Sequence, residues 1–332
     1  MPNTTIAQAK TMFLESIELY RSPHTFQAYR KALETFSNML AAKGIDPFDF
    51  PIAELTEDSV EQFVEHVRDF SPATESLYLQ VIKSFYKFLD AEHLVPTVNH
   101  SRVRMFIRQR TRRLGRQPAQ YPEEEMRQLI EFMSNPREIS TADGEDADIL
   151  TMHDKRDRAL ILTLADTGLR GDEICKLRCG DLDWINSRAT LKGRGNKQAF
   201  VRFSTRAIKA LGEYLTSRAS LDKETGQSVS SLPLFARHDK GAGRKIKPIT
   251  TTTIRNIVTD RVQQLLGPEA VGRITPHTFL HHFVTTILRA TGNLKLAQVL
   301  ARHTSIQVTQ KYAHISDEEL NKGYNEIFES RK

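Results

Sequence analysis

Between Pro96 and Pro122 the chain carries seven arginines, Arg102, Arg104, Arg108, Arg110, Arg112, Arg113 and Arg116, and neither aspartate nor glutamate. Charges this dense and without counter-charges stay in water, because an unpaired guanidinium is expensive to bury. The run reads as a solvated linker between two patterned regions, or as an arm that tracks a phosphate backbone and binds in a salt-dependent way. With 332 residues the chain exceeds the usual length of one domain, so two domains joined by this basic stretch are expected, over 1–95 and 122–332 with a linker at 96–121.

The region before the arginines is helical in pattern. A helix is expected over about Ile6 to Tyr20. Ser22-Pro23 reads as an N-cap followed by proline at the first helical position, and Phe26, Tyr29, Leu33, Phe36 and Leu40 then recur at steps of three and four until Gly44. Thr56 opens a helix with Val60, Phe63 and Val67 on one face. Ser71-Pro72 opens another carrying Leu77, Val81, Phe85 and Phe88. These stripes read as the core of a compact four-helix domain.

Beyond Pro122 the pattern is mixed. Helical spacing through Met126, Leu129, Ile130 and Met133 gives way to a polar, acidic stretch around Ser140 to Asp148, read as a surface loop. A helix is expected over Arg156 to Thr167, ending at Gly168. Ala189–Lys192 and Ala199–Phe203 flank Gly193-Arg194-Gly195-Asn196, a hairpin signal. Further helices are expected to be capped near Thr253 and at Thr275. The fold class is therefore mainly α with a small β-sheet: a helical domain followed by a mixed α/β domain.

No stretch approaches the roughly 18 uninterrupted apolar residues of a membrane span, and no N-terminal segment joins a basic start to an apolar run. A soluble, cytoplasmic protein is expected. The two cysteines, Cys175 and Cys179, lie four apart in a segment that reads as helical, without the spacing that completes a zinc site, and are expected as reduced thiols. Net charge is +6. Its value as a signal comes from where the charges lie.

Three stretches carry candidate chemistry. In TGLRGDEICKLRCGDLDW, Thr167 to Trp184, glycine ends a helix, Arg170 sits at the turn and Glu173 follows three positions later. PHTFLHHF, Pro276 to Phe283, holds His277, His281 and His282. In ARHTSIQVTQKYAHIS, Ala301 to Ser316, His303 stands nine residues before Tyr312. His277 and His281 have a spacing that can share a helix face, but a zinc hydrolase also needs a neighbouring carboxylate and a third ligand, and none is present beside them. No metal and no cofactor is expected.

Taken together, TGLR, a GxGNK hairpin, PHTxxHxF and a His and Tyr nine apart resemble the tyrosine recombinases of the lambda-integrase and Xer class, over nearly the whole chain. The resemblance implies a helical core-binding domain and a catalytic domain that clamp a DNA duplex. It assigns Arg170 as the first catalytic arginine, Glu173 as the acidic residue after it, His277 and His303 as the two histidines and Tyr312 as the nucleophile. Attack of a tyrosine hydroxyl on a DNA phosphate stores the bond in a phosphotyrosine, so strands rejoin without ATP or metal. Arginine and histidine donors face the nonbridging oxygens, and a general acid protonates the leaving 5′ oxygen.

Two positions depart from the family pattern. Where a second catalytic arginine follows the first histidine by three residues, this chain has Leu280. Loss of one preorganised donor costs about 3 to 4 kcal/mol, roughly a hundred- to a thousand-fold in rate. A strong loss of turnover is expected, with His281 or His282 as partial substitutes. Where the family places its general-acid lysine, this chain has Arg194, a poor proton donor; Lys192 and Lys197 flank it, and Lys197 is preferred. Arg102, Arg104, Arg108, Arg110, Arg112, Arg113, Lys192 and Arg194 are the candidate phosphate contacts. Leu320, Tyr324, Ile327 and Phe328 recur at helical spacing near the C-terminus. That helix either packs on its own domain or, as the resemblance implies, enters a neighbouring protomer of a homotetramer on paired duplex DNA sites. Site-specific recombination or integration at the nucleoid is the leading expectation. A recombinase-derived module that binds DNA and assembles without cutting it is the alternative, and a type IB topoisomerase-like activity is disfavoured by the Xer-like spacing.

Overall fold

The computed structural model describes residues 4–21, 23–95, 98–110, 121–135, 145–192, 198–238, 246–310 and 312, without the side chains of residues 24, 109, 110, 145–150 and 192. The chain divides into two compact units, Met1–Ala119 and Gln120–Lys332.

The first unit holds α1 (Ile6–Tyr20), α2 (Pro23–Ala42), α3 (Asp58–His66), α4 (Pro72–Ala91) and α5 (His100–Arg110). α1 starts where Thr5 and Gln8 each accept the other's backbone N–H, at 3.3 and 2.9 Å, a reciprocal cap that satisfies two otherwise orphaned donors. α4 starts at Ser71, whose hydroxyl accepts the Thr74 N–H with Pro72 in the first turn. The expected N-cap Ser22 lies outside the described residues. Leu33, Phe36 and Leu40 of α2 are buried as their spacing predicts. Phe36 meets Phe63 of α3 edge to face, 5.2 Å between centroids. Leu77, expected in the core, is exposed. α4 touches α1, α2, α3 and α5, so its buried face is wide, running through Tyr78, Leu79, Ile82, Phe85, Tyr86 and Leu89, and Leu77 falls at the margin.

The stretch expected as a linker contains α5. Val103, Phe106 and Ile107 are buried at helical spacing, and the helix packs on α3 and α4. Arg102 pairs with Glu57 at 2.9 Å and Asp58 at 3.6 Å and lies over the Phe106 ring, while Arg104 and Arg108 face solvent. The arginine count described the outer face of a helix whose inner face three apolar residues were enough to dock.

The second unit holds α6 (Glu123–Ser134), α7 (Glu145–Thr167), α8 (Gly171–Ile174), β1 (Leu182–Asp183), β2 (Arg188–Lys192), β3 (Gln198–Arg202), α9 (Thr205–Glu224), α10 (Thr251–Leu266), α11 (Pro276–Thr291), α12 (Leu294–Leu300) and α13 (Ile306–Gln310). α7 is its spine, buried from Ala159 to Ala165 and packed against α6, α9, α10 and α11. The helix begins eleven residues earlier than the expected Arg156, at Glu145. Glu145, Asp146 and Asp148, read as loop composition, suit the electropositive start of a helix equally well; residues 140–144 lie outside the described residues. The sheet is antiparallel in the order β1-β2-β3, with Ala189 opposite Val201 and Lys192 opposite Gln198, so the hairpin forms where the glycine-flanked turn predicts.

α8 ends at Ile174, which leaves Cys175 and Cys179 beyond the helix, both free and partly buried; burial pushes the Cys175 thiol up to about 11. α10 is capped by Thr250, whose hydroxyl accepts the Thr253 N–H. Arg218 of α9 is fully buried, donating to Asp222, the Tyr214 hydroxyl and the carbonyls of Pro233 and Leu234. No described helix is long and apolar enough to cross a membrane.

Because α5 is docked rather than extended, trypsin acting on the native protein is expected to leave Arg102, Arg104 and Arg108 uncut. Ile107→Ala removes a side chain that is 8% exposed and is expected to cost about 2 kcal/mol, the lower end for such truncations, and to raise cleavage at these arginines. Equal cleavage in both proteins would identify the segment as an undocked linker.

Candidate active site

α7 ends at Gly168, which adopts φ +57°, and a Cβ placed there would lie 2.4 Å from the Phe283 ring. Glycine alone fits both the left-handed backbone and the close approach of α11. The turn delivers Arg170 to the start of α8, where the Glu173 carboxylate accepts the Arg170 N–H at 2.9 Å and faces its guanidinium at 3.5 Å. The Arg170 side chain keeps 37% of its surface exposed.

α11 begins at Pro276, with the Thr275 N–H donating to the Thr278 hydroxyl at 3.0 Å. His277 is exposed in the first turn, where the helix dipole favours an anion. Three residues on, Leu280 is 2% exposed. It belongs to a small apolar cluster with Val284, Ala297 and Ala301, against which Phe283 and Tyr312 pack. The side chain at this position adds no donor to the site.

The turn between α12 and α13 carries Arg302 and His303. His303 is 7% exposed; its Nδ1 meets the Thr309 hydroxyl at 2.9 Å and its N–H donates to the Gln298 carbonyl at 3.0 Å. Its Nε2 is buried and has no hydrogen-bond partner among the described residues. The His303 ring lies nearly parallel to that of Tyr312, centroids 6.0 Å apart and planes 17° apart. The His281 ring centroid stands 4.9 Å from that of Tyr312 and 4.6 Å from that of Tyr121, and the Tyr121 hydroxyl meets His282 Nδ1 at 2.7 Å. The nucleophile candidate thus has two imidazoles as ring neighbours.

Burial lowers the His303 pKa, and the charges of Arg170, Arg302 and His277 lower it further. Burial raises the Tyr312 pKa while Arg170 pulls it down. Residues far apart in sequence therefore act on one another through one electropositive pocket. The partly exposed Arg170 guanidinium, the exposed His277, the Tyr312 hydroxyl and an imidazole nitrogen without a partner among the described residues form a set that a phosphodiester fits. Among the described residues no cluster of His, Cys, Asp and Glu could hold a metal ion.

Arg170, Glu173, His277, His303 and Tyr312 are brought together in this way. Lys197 and Arg194 lie outside the described residues, as do Arg112, Arg113 and Arg116; Lys192 ends β2 and Arg110 ends α5, without described side chains. Arg102 is engaged with Glu57 and Asp58. Sequence reasoning passed over Arg302 and Tyr121. Arg302 adjoins His303, but only its contacts back to the Gly168 turn give it a place in the site. Tyr121 sits at the proline that marked the domain boundary, and no local pattern links it to α11.

A helical unit followed by a helix-rich unit with a three-stranded antiparallel sheet, its Arg, His, His and Tyr side chains gathered on the ends of helices, is the tyrosine-recombinase fold. The sequence model described as phage integrase family matches residues 121–319, and that described as phage integrase, N-terminal SAM-like domain, matches residues 12–93. The chain belongs to the phage integrase family. It is 27% identical over 315 residues to tyrosine recombinase XerC of Bacillus pumilus, covering 94% of this chain and 93% of that one, and 29% identical over 320 residues to XerC of Haemophilus ducreyi, covering 96% and 92%. Among solved structures, XerH site-specific recombinase bound to palindromic difH substrate has a TM-score of 0.66 at 17% identity, covering 97% of this chain and 84% of that one. The Tn1549 transposon integrase in complex with transposon right end DNA has 0.63 at 16%, covering 98% and 99%.

His153, His282 and His303 all have pKa values lowered chiefly by burial from 6.5. Below pH 6.5 the unfolded chain takes up protons that the folded protein refuses, so stability present above that pH is lost as pH falls toward the folded values. Urea midpoints are expected to drop between pH 7.5 and 5.5, and His303→Gln is expected to shrink the drop. An unchanged difference would remove His303 from the account. Gly168→Ala, strained at φ +57° and in collision with Phe283, is expected to cost at least about 1 kcal/mol, seen in the same unfolding curves.

Proposed function

We propose that this protein cuts and rejoins DNA at specific sites through a 3′-phosphotyrosine at Tyr312. The Tyr312 oxygen attacks the phosphorus as its proton passes to water; the bond to the 5′ oxygen breaks, and that oxygen takes a proton from a general acid, assigned to Lys197. A 5′ hydroxyl of a second strand then attacks the phosphotyrosine and restores both the phosphodiester and the phenol, with no net consumption of ATP or metal. Arg170, His277 and His303 hold the nonbridging oxygens, and Glu173 holds Arg170. Arg104 and Arg108, exposed on α5, contact phosphates together with Arg110, Lys192 and Arg194 and give binding its salt dependence. Recombination between paired sites makes the working unit a homotetramer. The names of the XerC relatives, tyrosine recombinases, and the DNA-bound structural neighbours support this reading.

The observation that carries it is the seating of Tyr312 against His303 with the Arg170 charge acting on both. Leu280 lowers the rate relative to a site with every donor in place. The buried, apolar setting of Leu280 favours one other reading, a DNA-binding and assembly module that does not cut.

A nicked duplex carrying the protein's own recombination site traps the covalent step, and denaturing gels resolve the adduct. Adducts are expected from this chain and none from Tyr312→Phe, whose duplex binding is unchanged. Duplex binding without adducts, from this chain and from Leu280→Arg alike, would establish the assembly module in place of the enzyme.

A further inference from the structure

Arg302 is the anomaly of the site. It has φ +56°, one of three non-glycine residues with positive φ in the described chain, a conformation that disfavours a side chain with a Cβ. Despite that, its guanidinium is turned inward: the side chain is 12% exposed. Nη1 donates to the carbonyls of Leu300 and Thr167 at 3.0 and 3.4 Å, and Nη2 to the carbonyl of Gly168 at 2.9 Å and to Glu173 at 3.1 Å. Nε is buried with no partner among the described residues. Glu173 therefore joins two guanidiniums, those of Arg170 and Arg302, and Arg302 is the chain neighbour of His303.

Resting on the recombinase reading of this site, we propose that Arg302 supplies the second fixed positive charge of the phosphate clamp, in place of the arginine missing at position 280. It does so as a positioning residue. Its four Nη bonds tie the Thr167–Arg170 turn to the turn bearing His303, holding two phosphate ligands in register. Its charge acts on the adjoining His303, one of the groups assigned to hold the anion, and its Nε is left without a partner among the described residues. Leu280 leaves that charge absent from α11, and the fold returns it from the α12–α13 turn. The strained backbone is the sign that this side chain, rather than a glycine, is required there.

The test is a double-mutant cycle on the nicked-duplex adduct rate. Arg302→Gly suits φ +56° but gives up four hydrogen bonds, so rates are compared well below each variant's thermal midpoint, where this variant is expected to be at least tenfold slower. Arg302→Gln is expected to fall as far, and Arg302→Lys to recover part of the loss. Leu280→Arg is expected to raise the rate more in the Arg302→Gly background than in the unaltered chain, since each guanidinium serves the same charge. Equal gains in both backgrounds, or an unchanged rate in Arg302→Gly and Arg302→Gln, would overturn the proposal.

A second readout does not depend on cutting. Inorganic phosphate is titrated against protein carrying ring-labelled histidine while the His303 resonance is followed. Saturable shifts are expected in the unaltered chain and Arg302→Lys, weakened at least tenfold in Arg302→Gln. Equal affinity in all three would refute the assignment even if the chain formed no adducts, the outcome that would separately sink the recombinase reading.

Discussion

The Glu173 carboxylate is the point on which the site depends. It closes the first turn of α8 by accepting the Arg170 N–H, faces the Arg170 guanidinium and accepts a hydrogen bond from Arg302 of the α12–α13 turn. One negative charge between two positive ones leaves the site cationic, with His277 adding to the field felt by His303. Like charges held together in a partly dry pocket repel, and the fold supplies the work that keeps them close. On the proposed function, a phosphodiester held there would relieve this repulsion, and donors already in place are the condition under which electrostatic stabilisation is strongest.

The same surroundings bear on the nucleophile role proposed for Tyr312. Burial against the apolar cluster of α11 and α12 raises the Tyr312 pKa, and Arg170 opposes that rise only in part. The resting phenol keeps its proton.

The sequence disclosed some of this and hid the rest for physical reasons. The ends of α1 and α4 were readable because capping is local: Thr5 with Gln8, and Ser71 with Thr74. Arg170, His277, His303 and Tyr312 were readable as a set of motifs, and the structure brings them together. α5 was hidden because seven arginines outweigh three apolar residues in any compositional reading, although Val103, Phe106 and Ile107 are what the helix buries. Leu77 was misplaced because helical spacing fixes a stripe but not how many neighbours surround it. Arg302 was hidden most deeply. Nothing in ARHTS distinguishes a surface arginine from one that turns inward, and its role rests on a positive φ and on carbonyls more than 130 residues away in sequence.

The placement of charge also accounts for the leucine at 280 without treating it as damage. An arginine at that position would start among Val284, Ala297 and Ala301, and without DNA its guanidinium would have to leave this apolar cluster or be held there unpaired at considerable cost. Leucine removes that cost and completes the apolar seat on which Tyr312 rests. Arg302 carries its charge under better terms, because Glu173 and three backbone carbonyls compensate it before any anion arrives. The resting protein thus keeps an apolar cluster against Tyr312 and a positive charge beside His303. What differs from a site with arginine on α11 is the direction of approach: the positive charge reaches the phosphate from the turn that bears the histidine, so the geometry of that turn governs how well the clamp closes.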